Sequence, residues 1–111
     1  MKLAIIGSRT VGKIDFDQFI TTLPDCVVSG GAKGVDTLAE RWAEAKGVKT
    51  LIFKPDYDVY GRTAPLVRNR KIVEACDCLL AFWDGKSKGT KYTADYARLQ
   101  GKPVQVVNLN D

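Results

Sequence analysis

Leu3-Ala4-Ile5-Ile6, followed at once by Gly7-Ser8-Arg9, is the stretch that decides the fold of this chain. A short apolar run that ends at glycine is typical of a strand covered on both faces. The arrangement returns at Ser29-Gly30-Gly31-Ala32-Lys33-Gly34-Val35-Asp36 and at Gly85-Lys86-Ser87-Lys88-Gly89-Thr90, each after an apolar run and before a helical pattern. Glycines let the backbone approach a phosphate closely, and unpaired N–H groups at the next helix N-terminus point towards it. Three such loops predict a single cleft for a ligand with phosphates.

Apolar periodicity predicts alternating strands and helices along the chain. Short apolar runs predict five strands, at 3–6, 26–28, 49–53, 78–82 and 103–107. Helical spacing predicts four helices, at 16–23, 35–45, 63–75 and 90–100. Asp15 is expected to cap the first helix, which Pro24 ends, and Leu66 is expected to face inward from the third. The segment 54–62 follows neither period and is predicted to be a loop, in which Tyr57 could cover a ligand or contact its base.

This alternation predicts a single α/β domain of three layers, with a five-stranded parallel sheet and helices on both faces. We expect the strand order 3-2-1-4-5. In that order the loops after the first and fourth strands border the point where the winding of the sheet reverses, and open α/β sheets bind ligands there. A parallel sheet in so short a chain has little to protect its edges, so we also expect self-association through the helices.

Composition limits the kind of protein. The 111 residues are 45% apolar, which suffices for one domain with a core. No apolar run approaches the ~20 residues that span a bilayer, so we expect a soluble, cytoplasmic protein without membrane contact. The chain contains no histidine, which excludes Ser-His-Asp catalysis, Cys-His catalysis and imidazole-bound metals. Cys76 and Cys78 lack the two-residue gap of metal or redox pairs, and with Cys26 they are expected to be buried.

Basic side chains concentrate near the predicted loops. The chain has 17 basic and 13 acidic residues, for a formal charge of +4. Ten of the basic residues lie in or beside those loops or on the third predicted helix: Arg9, Lys13, Lys33, Arg62, Arg68, Arg70, Lys71, Lys86, Lys88 and Lys91. A modest excess is equally usual on solvated surfaces, but its concentration near one edge favours an anionic ligand.

The first loop imitates a nucleotide-binding P-loop. The segment from Gly7 to Lys13 follows a strand and carries both glycines and the lysine of that motif. A hydroxyl must follow the lysine to bind Mg²⁺, and here that residue is Ile14. The missing hydroxyl argues against an NTPase of this type.

Several further side chains have both a structural and a functional interpretation. Asp36 lies in the first turn of a helix, where a carboxylate favours the helix dipole, and it could also accept a hydrogen bond from a ribose hydroxyl. Arg68 and Arg70 flank Asn69 and are either solvated or aimed at a cleft, where they would bind phosphate. Trp83 ends the fourth predicted strand and is either edge packing or a stacking surface for a base.

Five motifs stand in a fixed order: Gly7-Ser8-Arg9, the segment 29–36, Arg68-Asn69-Arg70-Lys71-Ile72, Ser87-Lys88-Gly89-Thr90 and Gly101-Lys102-Pro103-Val104. Together they resemble the SLOG superfamily, which joins the Smf/DprA DNA-processing proteins to the LOG nucleotide hydrolases. The resemblance covers nearly the whole chain and is strongest to the small YspA-like members. It implies a Rossmann-like domain that binds nucleotides, nucleotide-derived signals or nucleic acid, in many cases as a dimer.

The resemblance implies two activities with different site residues. In LOG hydrolases, which release a base from a nucleoside monophosphate, an arginine of an Arg-Lys pair and a glutamate two residues after Gly-Thr carry the chemistry. Arg70-Lys71 matches that pair, but Tyr92 occupies the glutamate position. In DprA-like proteins, elements that match Gly7-Ser8-Arg9, 30–36 and 68–70 form a basic pocket for single-stranded DNA. The DNA-binding elements are therefore intact here, whereas the hydrolase elements lack their glutamate.

Three functional hypotheses follow. The first is a sensor or binding module for a nucleotide or nucleotide-derived ligand, with no cofactor and no metal. The second is binding of single-stranded nucleic acid by a homo-oligomer, and the third is an N-glycosidase in which Asp36, Asp84 or Asp95 replaces the missing glutamate. The expected ligand-binding residues are Gly7, Ser8, Arg9, Ser29, Gly30, Gly31, Ala32, Gly34, Asp36, Arg68, Asn69, Arg70, Trp83, Asp84, Gly89 and Thr90.

Overall fold

The structure, a computed structural model, describes residues 1–109. Its five strands are β1 (Lys2–Gly7), β2 (Cys26–Ser29), β3 (Lys49–Ile52), β4 (Cys78–Trp83) and β5 (Val104–Asn108). Neighbouring strands run parallel, and their order is β3-β2-β1-β4-β5, which confirms the predicted order 3-2-1-4-5.

The helices are α1 (Val35–Ala45), α2 (Tyr57–Tyr60), α3 (Ala64–Ala75) and α4 (Lys88–Leu99). Successive side chains of a strand point to opposite faces of the sheet. Ile5 of β1 accordingly packs in one core with α1, and Ile6 packs in a second core with α3 and α4. The predicted three-layer α/β architecture, with helices on both faces, is confirmed. Within residues 1–109 no helix is long and apolar enough to cross a membrane.

The helix predicted at 16–23 is wrong. Only a single 3-10 turn forms, at Phe16–Gln18, and the Asp15 side chain does not cap it. Phe16 and Phe19 anchor this turn edge-on against the Phe82 ring, with centroids 5.4 and 5.2 Å away. One turn already buries Phe16 and packs the partly buried Phe19 against the core, and Thr21-Thr22 follows, whose branched side chains disfavour helix. The apolar spacing therefore marks contacts with the sheet and not a continuous helix.

The segment 54–62, predicted to be a loop, contains the single turn α2 and the start of a 3-10 turn at Gly61–Thr63. The Asp56 carboxylate caps α2 by accepting a hydrogen bond from the Val59 N–H at 3.2 Å. Tyr57 in this turn is 57% exposed.

Leu66, expected to face inward, is also exposed. All four residues of β3 are exposed, because β3 is an edge strand beside this segment and not a strand covered on both faces.

The cysteines are free thiols near the amino ends of the strands. Cys76 is buried, as predicted, whereas Cys26 and Cys78 are half-buried. Burial raises the pKa of the Cys76 and Cys78 thiols, so both stay protonated at neutral pH. This favours a packing role for both residues.

Candidate functional site

A cleft of about 380 Å³ opens at the carboxyl end of the sheet, between the ends of β1 and β4. The winding of the sheet reverses between these two strands, as expected for a ligand site in an open α/β sheet. Its volume lies within the range of about 300–1,000 Å³ that is typical of small-molecule sites. The cleft is lined by ten of the expected residues: Gly7, Ser8, Arg9, Ala32, Asp36, Arg68, Asn69, Asp84, Gly89 and Thr90.

A second cavity of about 310 Å³ adjoins the cleft beside the glycine-rich loop after β2. The two cavities share Arg9, Ala32 and Arg68. Gly30 and Gly31 lie in the second cavity and not in the main cleft. Its lining contains the cations Arg9, Lys33 and Arg68 and no carboxylate, whereas the main cleft contains two arginines and two aspartates. The main cleft is therefore balanced in charge, and the second cavity is basic.

The loop after β2 uses its backbone N–H groups within the protein. The Ala32 N–H donates to Asp36 Oδ2 at 3.2 Å, and the Gly31 N–H donates to Ser29 Oγ at 3.4 Å. Ser29 is fully buried, and its hydroxyl donates to Glu40 Oε2 at 2.7 Å. Burial raises the pKa of Asp36, which the hydrogen bond from Ala32 partly offsets. A carboxylate of the protein thus occupies the position at this loop where the glycine-rich pattern predicts a phosphate.

Ser8 and Gly34 join the loops after β1 and β2. Gly34 has a positive φ of 74°, and a Cβ at this position would lie 2.4 Å from the Ser8 carbonyl oxygen. That oxygen also accepts a hydrogen bond from the Val35 N–H at 3.2 Å. The Ser8 hydroxyl accepts from the Asp84 N–H at 3.2 Å, which connects the ends of β1 and β4. Both residues therefore shape the floor of the cleft by close backbone packing.

Arg68 is the buried cation of the site, only 7% exposed. Its Nη1 donates to the Gly30 carbonyl, and its Nε donates to Asn69 Oδ1 at 2.7 Å. A Cβ on Gly30 would lie 2.7 Å from Arg68 Nη1 and 2.9 Å from Asp36 Oδ2, so Gly30 leaves room for both charged groups. Burial lowers the pKa of Arg68, and the nearby Asp36 carboxylate raises it. Arginine remains charged in such surroundings.

The start of α4 forms the opposite wall of the cleft. Ser87 is the N-cap residue, and its Oγ accepts from the Thr90 N–H at 3.4 Å. Asp84 Oδ1 accepts two backbone N–H groups of the same turn, each at 2.8 Å, which lowers the pKa of Asp84. Gly89 faces Asn69, because a Cβ on Gly89 would lie 3.9 Å from Asn69 Nδ2. The missing side chain at Gly89 leaves the cleft open between α3 and α4.

Arg70 and Trp83 lie outside the cleft. Arg70 is exposed on the outer side of α3 and α4, where its Nε donates to the Tyr92 hydroxyl at 2.7 Å. The Trp83 indole N–H donates to the Ser87 carbonyl at 3.0 Å, and its ring lines a separate cavity of about 220 Å³. The structure therefore places these two expected residues apart from the ten that line the cleft.

The structure adds cleft residues that are not among the expected ligand-binding residues, including Thr10, Ser87 and Thr93. Ser87 has a sequence signal, since a serine three residues before Thr90 is a favoured N-cap. Thr93 lies one helical turn after Gly89, so the helical spacing of α4 also indicates it. Among residues 1–109 no three or more Cys, Asp or Glu side chains group together as metal ligands, and the chain has no histidine.

Comparisons with known proteins agree with these motifs. The model of the family described as "YspA, cpYpsA-related SLOG family" matches residues 1–60, which contain β1, β2, β3 and α1. The chain is 37% identical over 91 residues to the Gene 61 protein of Mycobacterium phage D29, an alignment that covers 77% of this chain and 71% of that protein. No solved structure matches the chain. The resemblance seen in the motifs is confirmed, and this Rossmann-like chain belongs to the YspA, cpYpsA-related SLOG family.

Proposed function

We propose that this protein binds a nucleotide or a nucleotide-derived ligand in the cleft between β1 and β4. One observation carries the proposal: the loop after β1, the start of α1, α3 and the start of α4 all turn polar groups into one cleft where the sheet reverses its winding. Membership of the SLOG family supports the same ligand class. The function is binding or sensing, and no residue is assigned a catalytic role.

The polar groups divide between the parts of such a ligand. Arg9 and the backbone N–H groups at the start of α4 that the Ser87 side chain does not cap, such as that of Gly89, suit phosphate oxygens. Asp36 and Asp84 would repel a phosphate, so hydroxyl groups of a sugar suit that part of the cleft. The Asn69 amide nitrogen faces the same space from α3.

Calorimetry against mononucleotides, cyclic nucleotides and dinucleotides tests the proposal. We expect binding of one class, and we expect Arg9→Met to weaken it by about tenfold or more, since a charge-assisted hydrogen bond is lost. Lys13→Met is the matched control, because Lys13 is an exposed cation of the same loop that is not among the residues lining the cleft. No binding by any member of the panel would contradict the proposal.

Binding of single-stranded nucleic acid is a second candidate, favoured by the basic second cavity. Its lining contains Arg9, Lys33 and Arg68 without a carboxylate, which suits a polyanion better than the charge-balanced cleft does. If this candidate is right, oligonucleotides bind more tightly than mononucleotides, and their affinity falls steeply with salt because counterions are released. Equal affinity for oligonucleotides and mononucleotides would argue against it.

We do not propose the N-glycosidase reaction. Arg70 and Tyr92, at the positions that match the hydrolase pair, bind each other outside the cleft, and a phenol replaces the carboxylate. Of the alternative acids, Asp95 lies outside the cleft in an ion pair with Lys91 at 2.7 Å.

A further inference from the structure

The outer strand β5 has an unprotected edge. In the part of the chain that the structure describes, β5 pairs with β4 alone. Its sequence, Val104-Gln105-Val106-Val107-Asn108, contains no charge and no proline. The opposite edge strand carries Lys49, and a lysine within an edge strand discourages pairing with another chain, whereas Lys102 and Pro103 precede β5 and Lys102 is bound to carbonyls at the end of α3. The two edges of the sheet therefore differ, and β5 is the edge open to a further strand.

Two hydrogen bonds show which backbone groups of β5 face outward. The Pro103 carbonyl accepts from the Leu79 N–H at 3.0 Å, and the Leu109 N–H donates to the Trp83 carbonyl at 2.8 Å. Backbone groups alternate in direction along a strand, so the odd-numbered residues of β5 face β4. Val104 and Val106 therefore direct their N–H and C=O groups away from the sheet.

Both faces of the sheet leave open space beside β5. On the α4 side, a cavity of about 220 Å³ is lined by Ala81, Trp83, Ala94 and Val106 together with charged residues of α4. On the other side, a mostly apolar cavity of about 330 Å³ reaches Gln105 at the place where the predicted helix at 16–23 does not form. A strand added to β5 would cover apolar surface on both faces.

We propose that β5 pairs antiparallel with β5 of a second copy of this chain, forming a ten-stranded sheet across the dimer. With the two-fold axis at Gln105, Val104 exchanges two backbone hydrogen bonds with Val106 of the partner subunit, and Val106 does the same with the partner's Val104. One strand thus supplies matching donors and acceptors for its own copy, as a two-fold interface requires. The expected self-association involves this edge in addition to helices.

The helix beside β5 also fits its own copy. Asp95 of α4 lies between Lys91, at 2.7 Å, and Arg98, at 3.4 Å, and all three line the cavity next to Val106. Positive and negative side chains are therefore present on one face of α4, so the same face of a two-fold copy can place an opposite charge against each of them. A partner whose surface carries charges of one sign only would match either the cations or the carboxylate, and not both. Since no β5 residue is among those lining the cleft, the interface is separate from the proposed nucleotide site.

Charge reversal at Gln105 tests the interface. Gln105 is exposed in the single chain, so Gln105→Lys and Gln105→Glu leave the fold intact, which circular dichroism checks. In the dimer, side chains at this position stand directly opposite each other, and like charges there repel. By analytical ultracentrifugation, we expect a wild-type dimer, roughly fivefold or greater weakening in each variant, and restored dimers in their equimolar mixture.

A wild-type protein that stays monomeric up to the hundred-micromolar range overturns the proposal, whatever other strand the edge accepts. A dimer that both charged variants leave undiminished also overturns it. The register has its own test, because opposed residues without backbone bonds lie within disulfide reach. Mild oxidation of Gln105→Cys should link the two substituted positions, as peptide mapping shows, and a link through Cys26 or Cys78 alone would overturn the register.

Discussion

The Ala32 N–H donates a hydrogen bond to Asp36 Oδ2 at 3.2 Å, within the loop whose glycines predict a phosphate. Asp36 is 6% exposed and lies beside the buried cation Arg68, so the loop carries its own anion and its own counter-charge. A ligand phosphate near this loop therefore meets side chains such as Arg9 and Lys33, and not the Ala32 amide. The consequence concerns stability as well as binding, because a buried carboxylate titrates differently from an exposed one.

Asp36→Asn should change how stability depends on pH. Burial raises the pKa of Asp36, so the folded state holds this proton more tightly than the unfolded chain, in which aspartate titrates near pH ~3.9. By linkage, ionisation of Asp36 lowers stability as the pH rises from that value through the folded pKa. The variant cannot ionise there, so its unfolding free energy should improve relative to wild type over that window, as urea denaturation at a series of pH values measures.

Asp84→Asn is the control of opposite sign. Hydrogen bonds from the Lys86 and Ser87 N–H groups lower the pKa of Asp84, so its contribution is present above the unfolded value and lost as the pH falls through the folded one. Relative to wild type, this variant should therefore become less stable as the pH rises. The same sign for both variants would contradict the burial of Asp36 as the cause.

Gly34→Ala should unfold the protein more readily than Gly47→Ala. Both glycines have positive φ, 74° and 72°, but a Cβ meets the Ser8 carbonyl at 2.4 Å in the first case and nothing within 4 Å in the second. Gly47→Ala should thus cost only the conformational penalty, about 1–2 kcal/mol. Gly34→Ala adds a clash with the backbone below the cleft and should cost about 3 kcal/mol or more. Equal losses in urea denaturation would show that the approach to Ser8 does not matter.

Lys102→Met should destabilise the end of α3. Lys102 Nζ donates to the carbonyls of Val73, at 2.6 Å, Glu74, at 3.2 Å, and Cys76, at 2.6 Å, which caps the last turn of that helix. Methionine keeps the apolar stem and loses all three hydrogen bonds, so we expect a loss of about 1–3 kcal/mol in thermal or urea unfolding. Lys91→Met breaks only an exposed ion pair with Asp95 and should cost less than about 0.5 kcal/mol. A loss at position 102 no larger than at position 91 would rule out the capping role.

The sheet was predictable from sequence because its central strands are buried on both faces and read as unbroken apolar runs, such as 3–6. Short connections and right-handed crossovers then allow few strand orders. The absence of a helix at 16–23 was not predictable from the apolar spacing, because Phe16 and Phe19 recur as on a helix yet satisfy that pattern by contacts with Phe82, far along the chain. Tertiary contacts decided the outcome there.

The cleft was predictable in outline, and its internal hydrogen bonds were not. Glycines mark loops whose backbone approaches another group closely, but the pattern does not say whether that group is a ligand or part of the protein. Here the Ala32 N–H donates to the carboxylate of Asp36, four residues further along the chain. Arg68 binds the Gly30 carbonyl, a partner 38 positions away, and Arg70 binds Tyr92, 22 positions away. Arg68 is thus buried and Arg70 exposed, because one side of α3 faces the sheet and the other faces solvent.

Gly89→Ala should separate binding from stability. Gly89 is the second residue of α4 and has no positive φ, so alanine suits its conformation and should raise stability by roughly 0.5 kcal/mol. The new methyl group would stand in open space 3.9 Å from Asn69 Nδ2, between α3 and α4, where the proposed ligand lies. The member of the nucleotide panel that binds the wild type should lose about tenfold or more in affinity, measured by calorimetry beside a thermal melt without ligand. Gly12→Ala, in an exposed loop with nothing within 4 Å of its Cβ, should leave the affinity unchanged. Undiminished binding by Gly89→Ala would place the ligand away from Gly89, because a ligand held between the two helices at this point would meet the added methyl group.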